Sequence, residues 1–270
     1  ELDAFCRGFA YINSVEAERP DNWECKTIFE NRSSFTVDLV KLQVRMKGNE
    51  DLLFDIADVA EDANAPEFDG RIHPLHLAMD VQQAMGDEDW LVIDGGNTHF
   101  WSEIAVNLAG YQGKKLGGIL HPGTFSLLGV GVSFAVSAKN IHQDKNVVLI
   151  SGDGAFLSGG LSIEAAFQEN RPITVVIDNN GGLDCISQQQ ERLFESGTHY
   201  ATDFRDIPFH TMFEGLGGHG ELVTRREDIV PAVKRAITSG KTACVNVKAK
   251  GVISPIVAAV SDKRDKASIE

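Results

Sequence analysis

A chain of 270 residues, 43% hydrophobic and 24% charged, is long enough for one large α/β domain or for one domain plus a smaller unit. Its 39 acids against 25 bases give a net charge of −14, which argues against a nucleic-acid partner or an anionic membrane surface. An anionic ligand must therefore be held by local devices, a metal or backbone amides, because the field of the whole protein does not attract it.

In chain order, the first seventy-odd residues carry dispersed charge, a candidate strand in SSFTVDLVKLQVRM, and an acidic, linker-like EDANAPEFDG. From about Leu75 the pattern becomes regular. WLVIDGGN, from Trp90, reads as a buried strand ending in a glycine turn. GVGVSFAVSAKN, from Gly129, reads as a helix packed through small residues. NVVLISGDG, from Asn146, is a second strand, LSIEAAFQEN the helix after it, and ITVVIDNN a third strand. DIPFHTMFEGLGG and REDIVPAVKRAITSGK fit two further helices, and ACVNVKAK a fourth strand. Apolar strands alternating with amphipathic helices predict a doubly wound α/β fold: a mostly parallel sheet with helices on both faces.

The four cysteines, Cys6, Cys25, Cys185 and Cys244, are scattered without a CxxC pair, so neither disulfides nor zinc is expected. Cys244 reads as a buried thiol. No apolar run approaches the ~20 residues that span a bilayer, and ELDAFCRGFA lacks the features of a signal peptide. The expected setting is a reducing cytoplasm.

The chemistry concentrates at Gly152-Asp153-Gly154 and at Asn179-Asn180. Each follows a strand, and Asn180 lies 27 residues beyond Asp153. A carboxylate, a carboxamide and one backbone carbonyl make a half-shell of hard oxygens that suits magnesium. Phosphate oxygens and water would complete the octahedron. The helix after Asp153 presents free N–H groups to the same place. The bland alternative is a chance pair of Asp-Gly and Asn-Asn turns.

The pair, with its strand-helix-strand interval, resembles the fingerprint of thiamine-diphosphate-dependent enzymes. The framework from about 73 to 250 is similar to the acetolactate synthase, benzaldehyde lyase and 2-hydroxyacyl-CoA lyase branch. The resemblance implies Asp153, Asn180 and the carbonyl of Gly182 as magnesium ligands. It sets Gly152, Gly154 and Ala155 against the diphosphate, the last two through backbone amides. In VIDGGNTHFWSEIA, read as a loop, Gly96, Asn97 and Thr98 would touch the diphosphate through backbone and hydroxyl groups. His99 there reads as a solvated loop histidine and Trp101 as packing. In HPGTFSLLGVGVSFAVSA, Leu128 would be the wedge that bends the cofactor, and the carbonyl of Ser126 would accept from its amino group. Many relatives have glycine where Ser126 stands.

The resemblance also implies what is missing. Activation of the cofactor in this family uses a glutamate on a separate pyrimidine-binding domain of roughly 150 residues, and no second set of strands is present for one. Glu164 lies on the wrong domain to substitute. The chain is therefore expected to be either a split subunit completed by a partner chain or a piece of a longer polypeptide, with the first favoured. The expected assembly is a hetero-oligomer, a dimer of heterodimers.

These readings divide the chain into 1–72 (accessory, linker or interface region), 73–250 (thiamine-diphosphate and Mg2+ binding domain) and 251–270 (a tail that either folds over the site or is a frayed end, the second favoured). The function implied is a C–C lyase, carboligase or decarboxylase for 2-keto or 2-hydroxy carbonyl compounds, with CoA thioesters among the candidate substrates. The alternative is a non-catalytic assembly or regulatory subunit, against which the intact metal-ligand set speaks. A nicotinamide-binding Rossmann domain fits poorly, because GVGVSF lacks the third glycine of its motif.

Overall fold

A computed structural model describes residues 23–28, 41–46, 70–111, 113–123, 126–194, 197, 199–255 and 257–258. The chain divides into two units, residues 1–67 and 68–270. In the first, β1 (Trp23–Ile28) and β2 (Lys41–Met46) form an antiparallel pair, with Trp23 opposite Met46 and Ile28 opposite Lys41. β2 is the end of the strand expected in SSFTVDLVKLQVRM. The rest of that segment, the acidic stretch before Gly70, and Cys6 lie outside the described residues.

The second unit is built on six strands: β3 (Trp90–Asp94), β4 (Gly118–Leu120), β5 (Val147–Gly152), β6 (Thr174–Asn179), β7 (His219–Val223) and β8 (Ala243–Lys248). They form one sheet in the order β4-β3-β5-β6-β8-β7, with every neighbouring pair parallel. The unbroken apolar runs explain the arrangement. β5 and β6 are buried at every residue, which requires cover on both faces. Two groups of helices supply it. One comprises α1 (Pro74–Ala84), α2 (Asn97–Tyr111) and, near the chain's end, α8 (Ile229–Thr238). The other comprises α3 (Gly131–Ile141), α4 (Asp153–Gly159) and α5 (Glu164–Gln168). α6 (Asp184–Leu193) follows β6, and α7 (Phe209–Gly215) packs on β7 and β8. Phe156, Phe209 and Phe213 fill one side of the core, the first two edge to face at 5.6 Å.

The expected strands at Trp90, Asn146, Ile173 and Ala243 are β3, β5, β6 and β8. Two strands carry no such signal. β4 is three residues long, and β7 (HGELV) is a largely half-exposed edge strand with little apolar content. VIDGGNTHFWSEIA is not a loop: α2 starts at Asn97 and runs fifteen residues. The helix expected in LSIEAAFQEN is broken. A helix already begins at Asp153, a 3-10 turn covers Gly160–Ile163, and α5 is short. The break falls at Gly159, where a Cβ would overlap the carbonyl of Gly129. No described helix is long and apolar enough to cross a membrane.

β4 lies on one side of β3 and β5 on the other. The connections therefore diverge at the carboxyl ends of β3 and β5, the place where open α/β sheets bind ligands.

Of the tail, residues 251–255 and 257–258 are described, and these depart from the frayed reading. Lys250 donates its N–H to the carbonyl of Ile72, and Ser254 is buried, its N–H donated to Oδ1 of Asn97 at 3.1 Å. Trp101 is buried as expected of a packing residue, and its indole donates to the Val252 carbonyl at 2.9 Å.

α1 begins at a histidine cap: Nδ1 of buried His73 accepts the N–H of Leu75 at 3.0 Å. Burial, with the positive charges of His76 and Lys250, holds the His73 pKa down to about 3. His76 is held to about 4, by burial and then by Arg226. Below its ordinary pKa of about 6.5 the unfolded chain binds protons that the folded chain does not, so this stability is present above pH 6.5 and is lost as pH falls toward 3. In His73→Asn, which keeps a cap acceptor without the titration, the stability deficit relative to wild type is predicted to shrink as pH falls from 7.5 to 5. Parallel urea-unfolding curves across that range would refute it.

Candidate active site

The carboxyl ends of β3, β5 and β6 surround a cleft of about 430 Å³. The β3 side contributes Gly96, Asn97 and Thr98, the β5 side Gly152, Asp153, Gly154 and Ala155, and the β6 side Asn180 and Gly182. Ser126 and Leu128 close it from the segment before α3, and Val257 from the tail. All eleven residues that the resemblance assigns to the cofactor thus line one cavity, whereas Asn179 turns away to the Ile207 carbonyl and Asn246.

Asp153 is the best-fixed group there. It is 2% exposed; its Oδ1 accepts the N–H of Gly154 at 2.6 Å, and its Oδ2 those of Gly181 and Gly182 at 2.8 and 3.1 Å. Oδ1 of Asn180 also accepts the Gly182 N–H, at 3.2 Å. Gly181 adopts φ +92°, a backbone that disfavours any side chain, and this turn aims the two amides at Asp153. The strand bridge between Gly182 and Asp203 uses the carbonyls of Gly181 and Thr202, not that of Gly182. At Gly154 the missing Cβ makes room for Leu183. That glycine is needed for packing as well as for ligand approach.

Two further acids crowd Asp153, neither singled out in the sequence. Asp178, the last residue but one of β6, is buried and accepts the Thr98 hydroxyl at 2.8 Å through Oδ2, while its Oδ1 has no hydrogen-bond partner. Asp184, which opens α6, leaves Oδ2 unpartnered, and its carboxyl occupies the space a Cβ on Gly251 would take. Burial pushes Asp153 up to about 6 against the pull of its three amides. Burial, reinforced by Asp153, carries both Asp178 and Asp184 to about 7. The visible signal for them is their spacing: an acid one residue before Asn179 and another two residues after Gly182.

Bonding commits some groups inward. The Asn97 carboxamide donates to Gln188 at 2.9 Å and accepts from Ser254, and the Thr98 hydroxyl is held by Asp178. The backbone at the start of α2 still opens on the cleft, where the first N–H groups of a helix have no intrahelical partner.

Asp94, at the end of β3, was also not singled out. Its carboxylate accepts the N–H groups of Gly129 at 3.0 Å and Gly131 at 2.7 Å, and so pins the backbone on either side of Val130, directly after Leu128. Burial raises its pKa, against the amides of Gly131, Gly129 and Gly95. An Asp between an apolar strand and Gly-Gly was the available clue.

His99 is not a solvated loop residue. It is 3% exposed on α2, beside Glu103.

A family model described as "Thiamine pyrophosphate enzyme, C-terminal TPP binding domain" matches residues 94–247, from Asp94 to β8. The chain belongs to this thiamine pyrophosphate enzyme family. The probable acetolactate synthase of Mycobacterium bovis is 31% identical over 182 residues, covering 65% of this chain and 31% of that protein. The 2-hydroxyacyl-CoA lyase 2 of Bos taurus is 31% identical over 167 residues, 61% of this chain and 25% of that protein. The catabolic acetolactate synthase of Raoultella terrigena is 24% identical over 166 residues. The chain thus spans about a third or less of the length of these relatives. The matched region holds every residue singled out for the cleft.

Ser126 stands at φ +48°, in the left-handed region that favours glycine. A non-glycine residue pays roughly 1–2 kcal/mol there, part of which glycine returns through the greater entropy of the unfolded chain. Ser126→Gly is therefore predicted to stabilise the chain by about 0.5–1 kcal/mol, a rise of roughly 1–4 °C in Tm. A lower Tm in differential scanning calorimetry would contradict the assigned backbone.

Proposed function

We propose that the chain is the diphosphate- and magnesium-binding subunit of a thiamine-diphosphate-dependent C–C lyase, carboligase or decarboxylase acting on 2-keto or 2-hydroxy carbonyl compounds. The observation that carries the reading is the buried Asp153 carboxylate, set beside Asn180 and Gly182 at the mouth of the cleft.

The donor set fits the proposed groups. Asp153, the Asn180 carboxamide and the Gly182 carbonyl are all oxygen donors, as magnesium prefers. Asp178 and Asp184 leave buried carboxylate oxygens without partners, and a divalent cation is what such a concentration of acid calls for. The cation would in turn neutralise diphosphate in a protein of net charge −14. The cleft volume falls within the range of small-molecule sites.

When bound, thiamine diphosphate supplies a carbon nucleophile for carbonyls and a ring nitrogen that takes up the electron pair of the broken C–C bond. The chain's own residues do the rest of the holding. Asp153, Asn180 and Gly182 would hold the cation, and the backbone of Gly96, Asn97, Thr98, Gly154 and Ala155 would meet the diphosphate. Leu128 would set the bend, supported by the Asp94 clamp on Gly129 and Gly131, and the Ser126 carbonyl would take the amino group. The buried ends of the sheet keep bulk water from the anchored end.

The activating glutamate is assigned to a partner chain carrying the pyrimidine-binding domain, in a hetero-oligomer. Among the described residues no glutamate lines the cleft, and Glu164 is exposed on α5. A cytoplasmic setting belongs to the same proposal.

Titration calorimetry with thiamine diphosphate and Mg2+ tests this. Binding is expected to require Mg2+ and to weaken at least about 100-fold in Asp153→Ala, the loss of a charged anchor worth roughly 3 kcal/mol or more. The chain alone should show no turnover of 2-keto acids. Binding that ignores both Mg2+ and the substitution, or robust turnover without a partner, would overturn the assignment.

A further inference from the structure

One buried cluster is not used by the cofactor site. His99 and Glu103 lie four residues apart on α2, so both side chains leave the same face of the helix. His121, immediately after β4, meets them from the neighbouring segment. His121 Nδ1 is 3.9 Å from Glu103 Oε1, and the His99 and His121 rings are 5.2 Å apart. One ligand atom from each of the three lies within 4.8 Å of the other two.

Two of those atoms are unsatisfied. Nε2 of His99 and Oε1 of Glu103 are buried and 2.8 Å apart, yet neither has a partner in hydrogen-bond geometry. Residues this buried, 3% and 5% exposed, rarely leave polar atoms unpaired, because each such atom costs about 1–3 kcal/mol. The misaligned approach fits two lone pairs that converge on a third point better than it fits a bond between them.

We propose that His99, Glu103 and His121 form a second metal site, for a borderline divalent cation of the zinc class. Two imidazoles and a carboxylate are the donors such ions select, whereas magnesium favours oxygen alone. Two ligands a helical turn apart on one helix, completed by a third from elsewhere, are a geometry that binds zinc and leaves a fourth position for water. Tetrahedral bonds of about 2.0–2.1 Å set ligand atoms roughly 3.3 Å apart. The observed 2.8 and 3.9 Å to Glu103 bracket that spacing, and the two histidines lie within 4.8 Å of each other, so small side-chain adjustments bring the three ligands to it. His121 Nδ1 also accepts a long 3.2 Å bond from Gly123, which a metal bond at that atom would replace. The site uses no cysteine, so the cysteine pattern gave no hint of it.

Its place suggests what it does. His99 lines the cleft directly after Thr98, and His121 precedes the segment that carries Ser126 and Leu128. The ion would tie α2 to that segment and brace the wall of the cleft.

The test uses the full chain as Asp153→Ala, which silences the oxygen site, stripped with a chelator and titrated with Zn2+ by calorimetry. Bound metal is then counted by mass spectrometry. One equivalent of Zn2+ is expected, with Mg2+ failing to compete. Adding His121→Ala should weaken binding beyond the 10–100-fold that loss of a mere supporting partner costs, and Glu103→Gln should weaken it similarly. Because His121 is only partly buried, its variant should fold, and visible Co2+ absorption reports whether the nitrogen and oxygen ligand set is present. No stoichiometric Zn2+, or binding and Co2+ spectra unchanged in His121→Ala, would overturn the proposal.

Discussion

The architecture of the cleft depends on one costly placement: a carboxylate, Asp153, buried at the end of a fully buried strand. Three backbone N–H groups receive it, and two come from a turn that exists because Gly181 takes a left-handed backbone. Even so, its pKa stands at about 6, so the amides do not offset the burial. Asp178 and Asp184 deepen the deficit instead of relieving it. A fold that gathers two buried acids and a half-buried third at the carboxyl end of its sheet gives up stability there. Such local strain is characteristic of sites built for a ligand.

The second constraint is topological. Because the connections of β3 and β5 diverge, the ends of those strands are open, and most of the cleft's polar groups hang from them or from β6. Asp94 ends β3 and grips the amides after Leu128, while Asp153 opens α4 beside β5. The tail closes a third side: Ser254 holds Asn97, Val252 holds Trp101, and Gly251 gives way to Asp184. Strand ends and tail are thus cross-linked through side chains.

Much of this was legible in the residues because burial writes a plain signal. Strands buried on both faces appear as unbroken runs such as VVLIS and TVVID, and the glycines around Asp153 and Asn180 mark the turns that follow them. Where burial is partial the signal fades, as in the edge strand HGELV and the three-residue β4. α2 was concealed because GGN at its start looks like a turn, although the helix begins within it. Asp153 and Asn180 were readable from their spacing after the strands, and the other candidate residues from the family resemblance. Asp94, Asp178 and Asp184 stand in positions that mark them only weakly, and Glu103 in none, because what they do arises from contacts across 35 residues or more, or from burial that no local pattern encodes. The tail was missed for the same reason: its partners, Asn97 and Trp101, stand about 150 residues away in sequence.

The central claim is that the carboxyl ends of β5 and β6 hold a divalent cation that in turn holds a diphosphate. Crystals grown with thiamine diphosphate and Mn2+ in place of Mg2+ test it most directly, through the anomalous scattering of manganese. The account predicts one peak bonded to Asp153, the Asn180 carboxamide and the Gly182 carbonyl, with two diphosphate oxygens and a water completing the shell. A peak elsewhere, or a diphosphate seated in the cleft with no metal between it and Asp153, would contradict it.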